Sequence, residues 1–321
     1  MNRKTIFRII YISVPLAAVI YLAIGFTFYH FALNANATQT RAIGEKQYIM
    51  SPAIDPEREE QEREKDRAFF EKTPENFTTT SYDGLKLKGY AYTQAERTNN
   101  WVFAVHGYTG SARQMTRWNR QLYELGYNVF APDLRGHGES AGDYYGMGWL
   151  DQEDLHDWLD LLIEKYPDAN ITLYGVSMGA SAVLNLASSE LPPQVDSVIA
   201  DSGFTSVASI FETQIQSILK LPALPILNPA NTVSQLRIGL DFYEASTVEQ
   251  VRKIELPVFY IHGGNDTFVP VENVYELADA TKAPHEVWII EEANHGDAVK
   301  VAPDEYRTKV DRFIKAHRNL D

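Results

Sequence analysis

The chain has 321 residues, of which 45% are hydrophobic, enough to bury the core of one large α/β domain with an appendage. Its formal net charge of -14 argues against nucleic acid or anionic lipid as a partner of the main domain, because either would be repelled. The sequence has no cysteine, which excludes disulfides, thiolate metal sites and a cysteine nucleophile.

Residues 1–33 predict a membrane anchor. Three basic residues stand at its start: Arg3, Lys4 and Arg8. They precede an uncharged run over 9–29, which has about the 20 residues that cross a bilayer as a helix. The basic end should stay in the cytoplasm, so the rest of the chain is expected outside it. A cleaved signal peptide is the alternative, because a small-residue triplet ending at Ala37 resembles a cleavage site, and the protein would then be secreted.

Residues 34–76 are mostly polar and charged, which predicts a spacer between the membrane and the main domain. Within them, 56–67 mixes both charge signs at helical spacing, and Pro56 suits the first turn of a helix. Phe69 and Phe70 give the far end of this helix a means to dock. We expect a solvated, partly helical segment whose only function is spacing.

From residue 77 to 321, short apolar runs alternate with helical patterns. The first two strands are expected to form an antiparallel hairpin around a two-residue Asp83-Gly84 turn. The later runs predict buried strands of a doubly wound parallel sheet: 101–105, 129–131, 171–174, 198–200, 258–261 and 287–290. Helices are expected at 115–125, 151–165, 180–188, 271–280 and 303–316. Between 204 and 254 the strand pattern stops, which predicts a small helical cap over the active site.

The segment 175–179 reads Gly-Val-Ser-Met-Gly and lies between a predicted strand and a helix of small residues. In a G-x-S-x-G turn the serine adopts a strained backbone conformation that exposes its hydroxyl, and the glycines remove side chains that would clash. The helix that follows directs the amide of Met178 toward any oxyanion formed at Ser177. Taken alone, the pattern also fits a tight turn with a purely structural role.

Three other strand ends carry residues suited to the same chemistry, and ligands bind at this edge of an open α/β sheet. Tyr108 follows the first parallel strand, and its amide can converge with that of Met178 to form an oxyanion hole. His295 follows the last strand. Asp266 and Asp201 are the two candidates for the acid. We favour Asp266 because its turn-rich loop can reach a histidine, whereas Asp201 also fits a capping role.

With these motifs the chain resembles the α/β-hydrolase family, specifically its single-domain serine esterase and lipase-like branch with a short helical cap. The resemblance runs from about residue 77 to the carboxyl terminus and includes the Asp-Leu-Arg-Gly-His-Gly-Glu-Ser motif at 133–140. It implies a mostly parallel eight-stranded sheet with helices on both faces. It also implies a triad in the chain order Ser177, Asp266, His295. The anchor and spacer lie outside the resemblance and are laid out like those of bacterial cell-surface hydrolases.

The resemblance implies a serine hydrolase that needs no cofactor. A cap of about 50 residues can roof a site without lining a long tunnel, so the expected substrate is a small-molecule ester with a short or medium acyl chain. A serine acyltransferase or peptidase would use the same triad and stays open as an alternative. A catalytically inactive, membrane-tethered binding module is a more remote one.

No metal site is expected. Five acids between 151 and 160 lie along one predicted helix, but no cluster of histidines accompanies them, and a solvated helix face explains them better. Nothing cationic stands out near the site to bind a phosphate or carboxylate group.

Overall fold

The computed structural model describes residues 3–37, 50–72 and 74–318, so parts of the expected spacer at 38–49 and 73 lie outside the described residues. Eight strands form one sheet: β1 Glu75–Thr80, β2 Lys86–Tyr92, β3 Asn100–Val105, β4 Asn128–Pro132, β5 Asn170–Val176, β6 Val195–Asp201, β7 Val258–Gly263 and β8 His285–Ile290. Their order is β1-β2-β4-β3-β5-β6-β7-β8. β2 is antiparallel to both β1 and β4, and all other pairs are parallel. The predicted mostly parallel, eight-stranded sheet is confirmed.

The central strands are longer than their apolar runs. The predicted run 198–200 is part of the longer strand β6, which also includes the polar residues before it. Their side chains are hydrogen-bonded within the sheet: the Ser197 hydroxyl donates to Asp196 and lies 3.0 Å from the hydroxyl of Thr172. The hairpin also differs from the prediction, since its loop covers 81–85 instead of two residues. Ser81 holds that loop by accepting a hydrogen bond from the Leu85 amide.

Helices cover both faces of the sheet, as predicted. Those of the main domain are α3 Thr116–Glu124, α4 Gln152–Lys165, α5 Met178–Ala187, α9 Glu272–Ala280, α10 Ala298–Val301 and α11 Pro303–His317, and the chain opens with α1 Arg3–Ala32 and α2 Pro56–Phe70. Alternate residues of β3 point into two separate apolar cores. Trp101 and Phe103 pack with α4 and α5, whereas Val102 and Ala104 pack with α3 and α11.

The segment 204–254, which the sequence suggested as a cap and which we call the cap, contains three helices: α6 Val207–Leu219, α7 Leu224–Ile238 and α8 Thr247–Val251. Pro222 lies in the break between α6 and α7, and Pro225 lies in the first turn of α7. A proline is tolerated there because the first amides of a helix have no partner within it. The result is a helical hairpin with its turn at 220–223.

The helix α2 is not the solvated spacer that the sequence suggested. Glu59 and Glu62 are buried against α3, where they form ion pairs with Arg117 and Arg120. Phe69 is also buried and packs on the main domain, as its apolar character suggested. The charged face of α2 is thus matched by a basic face on α3, and such complementarity cannot be read from the helix alone.

The helix α1 has two different halves. Its segment Tyr11–Ala32 is long and apolar enough to cross a membrane by length and composition, with a mean hydropathy of 1.9. From Tyr21 onward, however, the helix contacts α7 of the cap. Tyr29 is buried beside Arg237 of α7, and Leu33 is buried where its carbonyl oxygen accepts the Tyr145 amide. This helix therefore continues into the body of the protein, and Ala35 and Ala37, just after it, are buried as well.

Candidate active site

Ser177 lies in the turn between β5 and α5 with φ 58° and ψ -120°, the strained conformation expected from the sequence. The flanking glycines permit the turn. A Cβ atom at Gly175 would lie 2.1 Å from the carbonyl oxygen of Gly179, and one at Gly179 would lie 2.1 Å from that of Val105. Any side chain at either position would force the backbone apart, so the turn depends on both glycines.

The predicted serine, histidine and acid lie in one hydrogen-bonded row. His295 Nε2 is 2.8 Å from Ser177 Oγ, and His295 Nδ1 is 2.6 Å from Asp266 Oδ2. The other carboxylate oxygen of Asp266 accepts hydrogen bonds from the amides of Phe268 and Val269, which fixes its orientation. Three loops from distant parts of the chain thus bring together a nucleophile, a base and an orienting acid.

Asp201, the other candidate acid, faces a different set of partners. Its carboxylate accepts hydrogen bonds from the hydroxyls of Tyr306 and Ser202. Its carbonyl oxygen accepts the Ser177 amide at 2.7 Å. The geometry agrees with the preference for Asp266. Asp201 instead holds the turn in place through the hydrogen bond that its carbonyl oxygen accepts from Ser177.

The electrostatics of the row favour a charged acid and a basic histidine. Burial opposes the charge on Asp266, but the positive charge of His295 and hydrogen bonds from His262 and His295 hold the pKa of Asp266 well below its usual range. Burial likewise disfavours protonation of His295, yet the charge of Asp266 and its hydrogen bond raise the His295 pKa above 6.5. The imidazole is therefore tuned to accept a proton.

The loop after β3 approaches the serine closely. A Cβ atom at Gly107 would lie 3.2 Å from that of Ser177, so the backbone next to Tyr108 lies against the nucleophile. Met178 is the first residue of α5, where amides have no partner within the helix. His106 braces this loop: its Nε2 accepts the Leu134 amide at 3.0 Å. These positions suit the two predicted amide donors.

One supporting residue was missed by the sequence reading. His262 is fully buried at the end of β7, and its Nε2 lies 2.8 Å from the Val269 carbonyl oxygen and 3.4 Å from Asp266 Oδ2. It therefore lies next to the same carboxylate oxygen of Asp266 that His295 contacts. The signal was available, because a histidine directly precedes the glycine-rich loop that carries Asp266.

A cavity of about 230 Å³ opens in front of Ser177. Its apolar walls include Met115, Trp118 and Phe268. No residue of 204–254 is among those lining it within the described chain, so the cap does not shape this cavity as we expected. The cap does contact one residue of the cavity wall, because Gln214 donates a hydrogen bond of 2.7 Å to the carbonyl oxygen of Phe268.

Two further expectations about charge need correction. Lys300 lines the cavity, although the sequence showed no cation there, and it is paired with Asp297 at 3.2 Å. Asp151 and Asp154 are buried instead of solvated, and Asp154 forms an ion pair with Arg135 at 2.7 Å. Asp154 faces the 133–140 loop through Arg135, whereas Asp151, just before α4, accepts a hydrogen bond from the Gly148 amide at 2.8 Å. Across the described residues, no group of acids and histidines is arranged to hold a metal ion.

Comparisons with known proteins agree with this architecture. A family model described as "Serine aminopeptidase, S33" matches residues 96–237. The solved structure of the Pyrococcus furiosus esterase Pf2001 aligns with a TM-score of 0.65 and 27% identity, covering 79% of this chain and 94% of that one. The chain has the α/β-hydrolase fold. The esterase and family matches support hydrolase activity for this α/β hydrolase.

Curated proteins similar to this chain include a bacterial and a mouse protein. This chain is 29% identical over 239 residues to the uncharacterized protein YqkD of Bacillus subtilis (strain 168), and the alignment covers 74% of this chain and 78% of YqkD. It is 26% identical over 248 residues to the protein ABHD8 of Mus musculus, which covers 66% of this chain and 54% of ABHD8. The chain thus spans about half the length of ABHD8.

Proposed function

We propose that this α/β hydrolase cleaves small-molecule carboxylic esters through an acyl-enzyme. Ser177 Oγ attacks the carbonyl carbon while His295 takes its proton and then returns it to the leaving alcohol. Asp266 holds the imidazole tautomer with its proton on Nδ1 and stabilises the imidazolium. Water, deprotonated by the same histidine, then releases the acid and regenerates the serine.

The amides of Tyr108 and Met178 are the proposed oxyanion hole. Their loop and helix positions on either side of Ser177 support this role. Each such donor contributes on the order of 3 kcal/mol to lowering the barrier, by comparison with oxyanion-hole deletions in other enzymes.

The observation that carries the proposal is the hydrogen-bonded row from Ser177 through His295 to Asp266. Labelling with a fluorophosphonate followed by peptide mapping tests it. Ser177 should carry the label, and Ser177→Ala should abolish both labelling and ester hydrolysis. Ser111→Ala is the matched control, because Ser111 lines the same cavity outside the row. A protein that neither labels nor hydrolyses would instead be the inactive binding module.

The size of the cavity supports a short or medium acyl chain. Its volume of about 230 Å³ is below the roughly 300–1,000 Å³ of common ligand pockets. Each buried methylene contributes about 0.8 kcal/mol, so kcat/KM should rise over the first few carbons and fall once the cavity is full. A series of p-nitrophenyl esters from acetate to palmitate measures this. A steady rise to the longest chain would identify a lipase instead.

A peptidase is the second candidate, because the matching family model is described as a serine aminopeptidase. An aminopeptidase must bind the ammonium group of its substrate. No acidic side chain lines the cavity in the described part of the chain, whereas Lys300 does. This favours esters. Rates with an ester and with the corresponding amino-acid anilide separate the two activities, and an added alcohol detects acyl transfer.

We also propose that α1 is a single-pass membrane anchor with the catalytic domain outside the cytoplasm. Its apolar length and the basic residues at its start support this topology. Cleavage near Ala37 is less favourable, because it would remove the buried side chains of Tyr29, next to Arg237 of the cap, and of Leu33, next to Tyr145. Protease added to intact cells should degrade the catalytic domain. Protection until the cells are lysed would contradict the orientation.

A further inference from the structure

The tip of the cap hairpin is unusually apolar for a surface turn. Ile218 and Leu219 at the end of α6 are each 51% exposed, and Leu221 and Leu224 are 52% and 61% exposed. Adjacent exposed apolar side chains of this kind mark a contact surface, because a soluble protein gains nothing by presenting them to water. We call residues 218–224 the cap tip.

The length of α1 places the cap close to the bilayer. A helix rises about 1.5 Å per residue, so Gly25 lies about 24 Å along the axis from Ile9, the first residue after Arg8. The hydrocarbon core is about 30 Å thick, and its far boundary is therefore reached near residue 28. If the span instead begins at Lys4, its roughly 20 residues end at about residue 24, so the far boundary of the hydrocarbon lies near Gly25 in either case.

The cap nevertheless contacts α1 at these very positions. A Cβ atom at Gly25 would lie 2.3 Å from the Pro229 carbonyl oxygen, which shows how closely α7 approaches. The Tyr21 hydroxyl is hydrogen-bonded to Thr232 at 2.9 Å. A helix that crosses the membrane thus brings α7 to the level where the hydrocarbon ends.

The order of the contacts gives the direction of the tip. Gly25 lies against both Pro229 and Val233, and Arg237, further along α7, lies over the ring of Tyr29, further along α1. The long side chain of Tyr21 reaches forward along α7 to Thr232. The two helices therefore advance together, and Leu224 precedes Pro229 by about 7.5 Å of helix. The cap tip consequently lies on the cytoplasmic side of Gly25, toward the membrane.

From these relationships we infer that the cap tip is inserted into the outer leaflet of the membrane. This inference rests on the membrane span proposed above. The occupant of the surface is lipid acyl chain, continuous with the lipid around the exposed apolar half of α1. Lys220, exposed within the tip, can extend to the headgroups. The protein is thereby held at two places, and the carboxyl edge of its sheet faces the bilayer.

Single cysteines test this inference in the full chain, which has none of its own. Leu224→Cys probes the cap tip, and Leu236→Cys is the matched control on the same helix, 76% exposed but on the far side of Pro229. Val19→Cys reports on α1 itself. Each variant is labelled with an environment-sensitive fluorophore and reconstituted in phosphatidylcholine vesicles. Quenching by lipids with a nitroxide on the acyl chain is compared with quenching by aqueous iodide.

The labels at 19 and 224 should be quenched several-fold more strongly by the lipid nitroxide than the label at 236, with the reverse order for iodide. A label at 224 that behaves like the one at 236, while 19 is in lipid, overturns the inference and leaves the span intact. A label at 19 in water overturns both. Each labelled variant should hydrolyse p-nitrophenyl acetate at the rate of the unlabelled protein, which verifies that it is folded. Loss of hydrolysis in a separate Ser177→Ala variant bears only on the proposed activity.

Discussion

The hydroxyl of Tyr108 donates a hydrogen bond of 2.7 Å to the carbonyl oxygen of Ala32, the last residue of α1. Carbonyl groups in the last turn of a helix have no partner within it, so this bond satisfies one of them. The loop whose amide we propose for the oxyanion hole is thereby attached to α1. We therefore expect α1 to support the candidate site structurally, whether or not it also spans a membrane as proposed.

Tyr108→Phe should weaken this attachment. The substitution removes the donor and leaves the Ala32 carbonyl without it, which costs about 1–3 kcal/mol in the free energy of unfolding. We also expect a lower kcat with little change in KM, because the loop moves relative to the serine while the cavity walls remain. Denaturant unfolding and ester kinetics of the detergent-solubilised chain measure both. Tyr82→Phe is the control, since Tyr82 is 66% exposed. Identical behaviour of the two variants would argue against the link.

Asp266→Asn and Asp201→Asn should separate the two acids. Asparagine at 266 favours the wrong imidazole tautomer of His295, and in other triads this change lowers kcat by about 10⁴-fold. The Asp201 carboxylate accepts hydrogen bonds from Tyr306 and Ser202, so its loss should affect the fold of the turn more than the proton transfer. Steady-state kinetics with a p-nitrophenyl ester decide between them. Larger loss at Asp201 would reverse our assignment.

The pH dependence of kcat/KM should report His295. The base must be neutral to accept a proton, and the neighbouring Asp266 raises the pKa of His295 above 6.5. Activity should therefore fall as the pH drops through a midpoint above that value. In Asp266→Asn the raising charge is lost, so the midpoint of the residual activity should move to lower pH. An unchanged midpoint would mean that another group titrates.

The ion pairs between α2 and α3 should contribute strongly to stability. Arg120 is buried and pairs with both Glu62 and Asp66. Arg120→Met leaves these acids without their buried partner, which costs about 3–5 kcal/mol. Arg63→Met is the control, because the Arg63 side chain is 53% exposed. Chemical denaturation at neutral pH measures the difference, and equal effects would show that α2 contributes little.

The same ion pairs should make the fold sensitive to acid. Burial disfavours the Glu62 carboxylate, but hydrogen bonds from Lys65 and Arg120 lower its pKa to about 2. A depressed pKa stabilises the fold above the unfolded value of 4.5, and that contribution is lost as the pH falls from there toward about 2. Unfolding free energies over this range should decrease less steeply in Arg120→Met than in the unaltered chain. Parallel slopes would contradict the assignment.

Gly25→Leu should separate α1 from the cap. The closest atom to a Cβ at this position is the Pro229 carbonyl oxygen at 2.3 Å, and backbone cannot move aside cheaply. We expect a lower Tm for the full chain in detergent. Ala23→Leu adds the same side chain at an exposed position of the same helix and should leave the Tm unchanged. Equal Tm values for the two variants would mean that the close contact is dispensable.

The sequence by itself determined the sheet, the turn at Ser177 and the residues facing it. These depend on local signals, since a parallel strand is a short apolar run and a strained turn requires glycine at fixed places. Because parallel strands all end at the same edge, residues far apart in the chain, such as Asp266 and His295, could be placed together in advance. The preference for Asp266 over Asp201 followed from the turn-rich loop around Asp266 and from the capping role that Asp201 could fill.

Only the tertiary structure decided what the charged and apolar helices pack against. The acids of α2 looked solvated because their partners, Arg117 and Arg120, lie on another helix. Gly25 looked like one residue of a lipid-facing span because the backbone of α7 that it contacts is about 200 residues away in the chain. Periodicity identifies which face of a helix is apolar or charged. The partner of that face is fixed by three-dimensional packing between segments distant in sequence, and no local pattern encodes it.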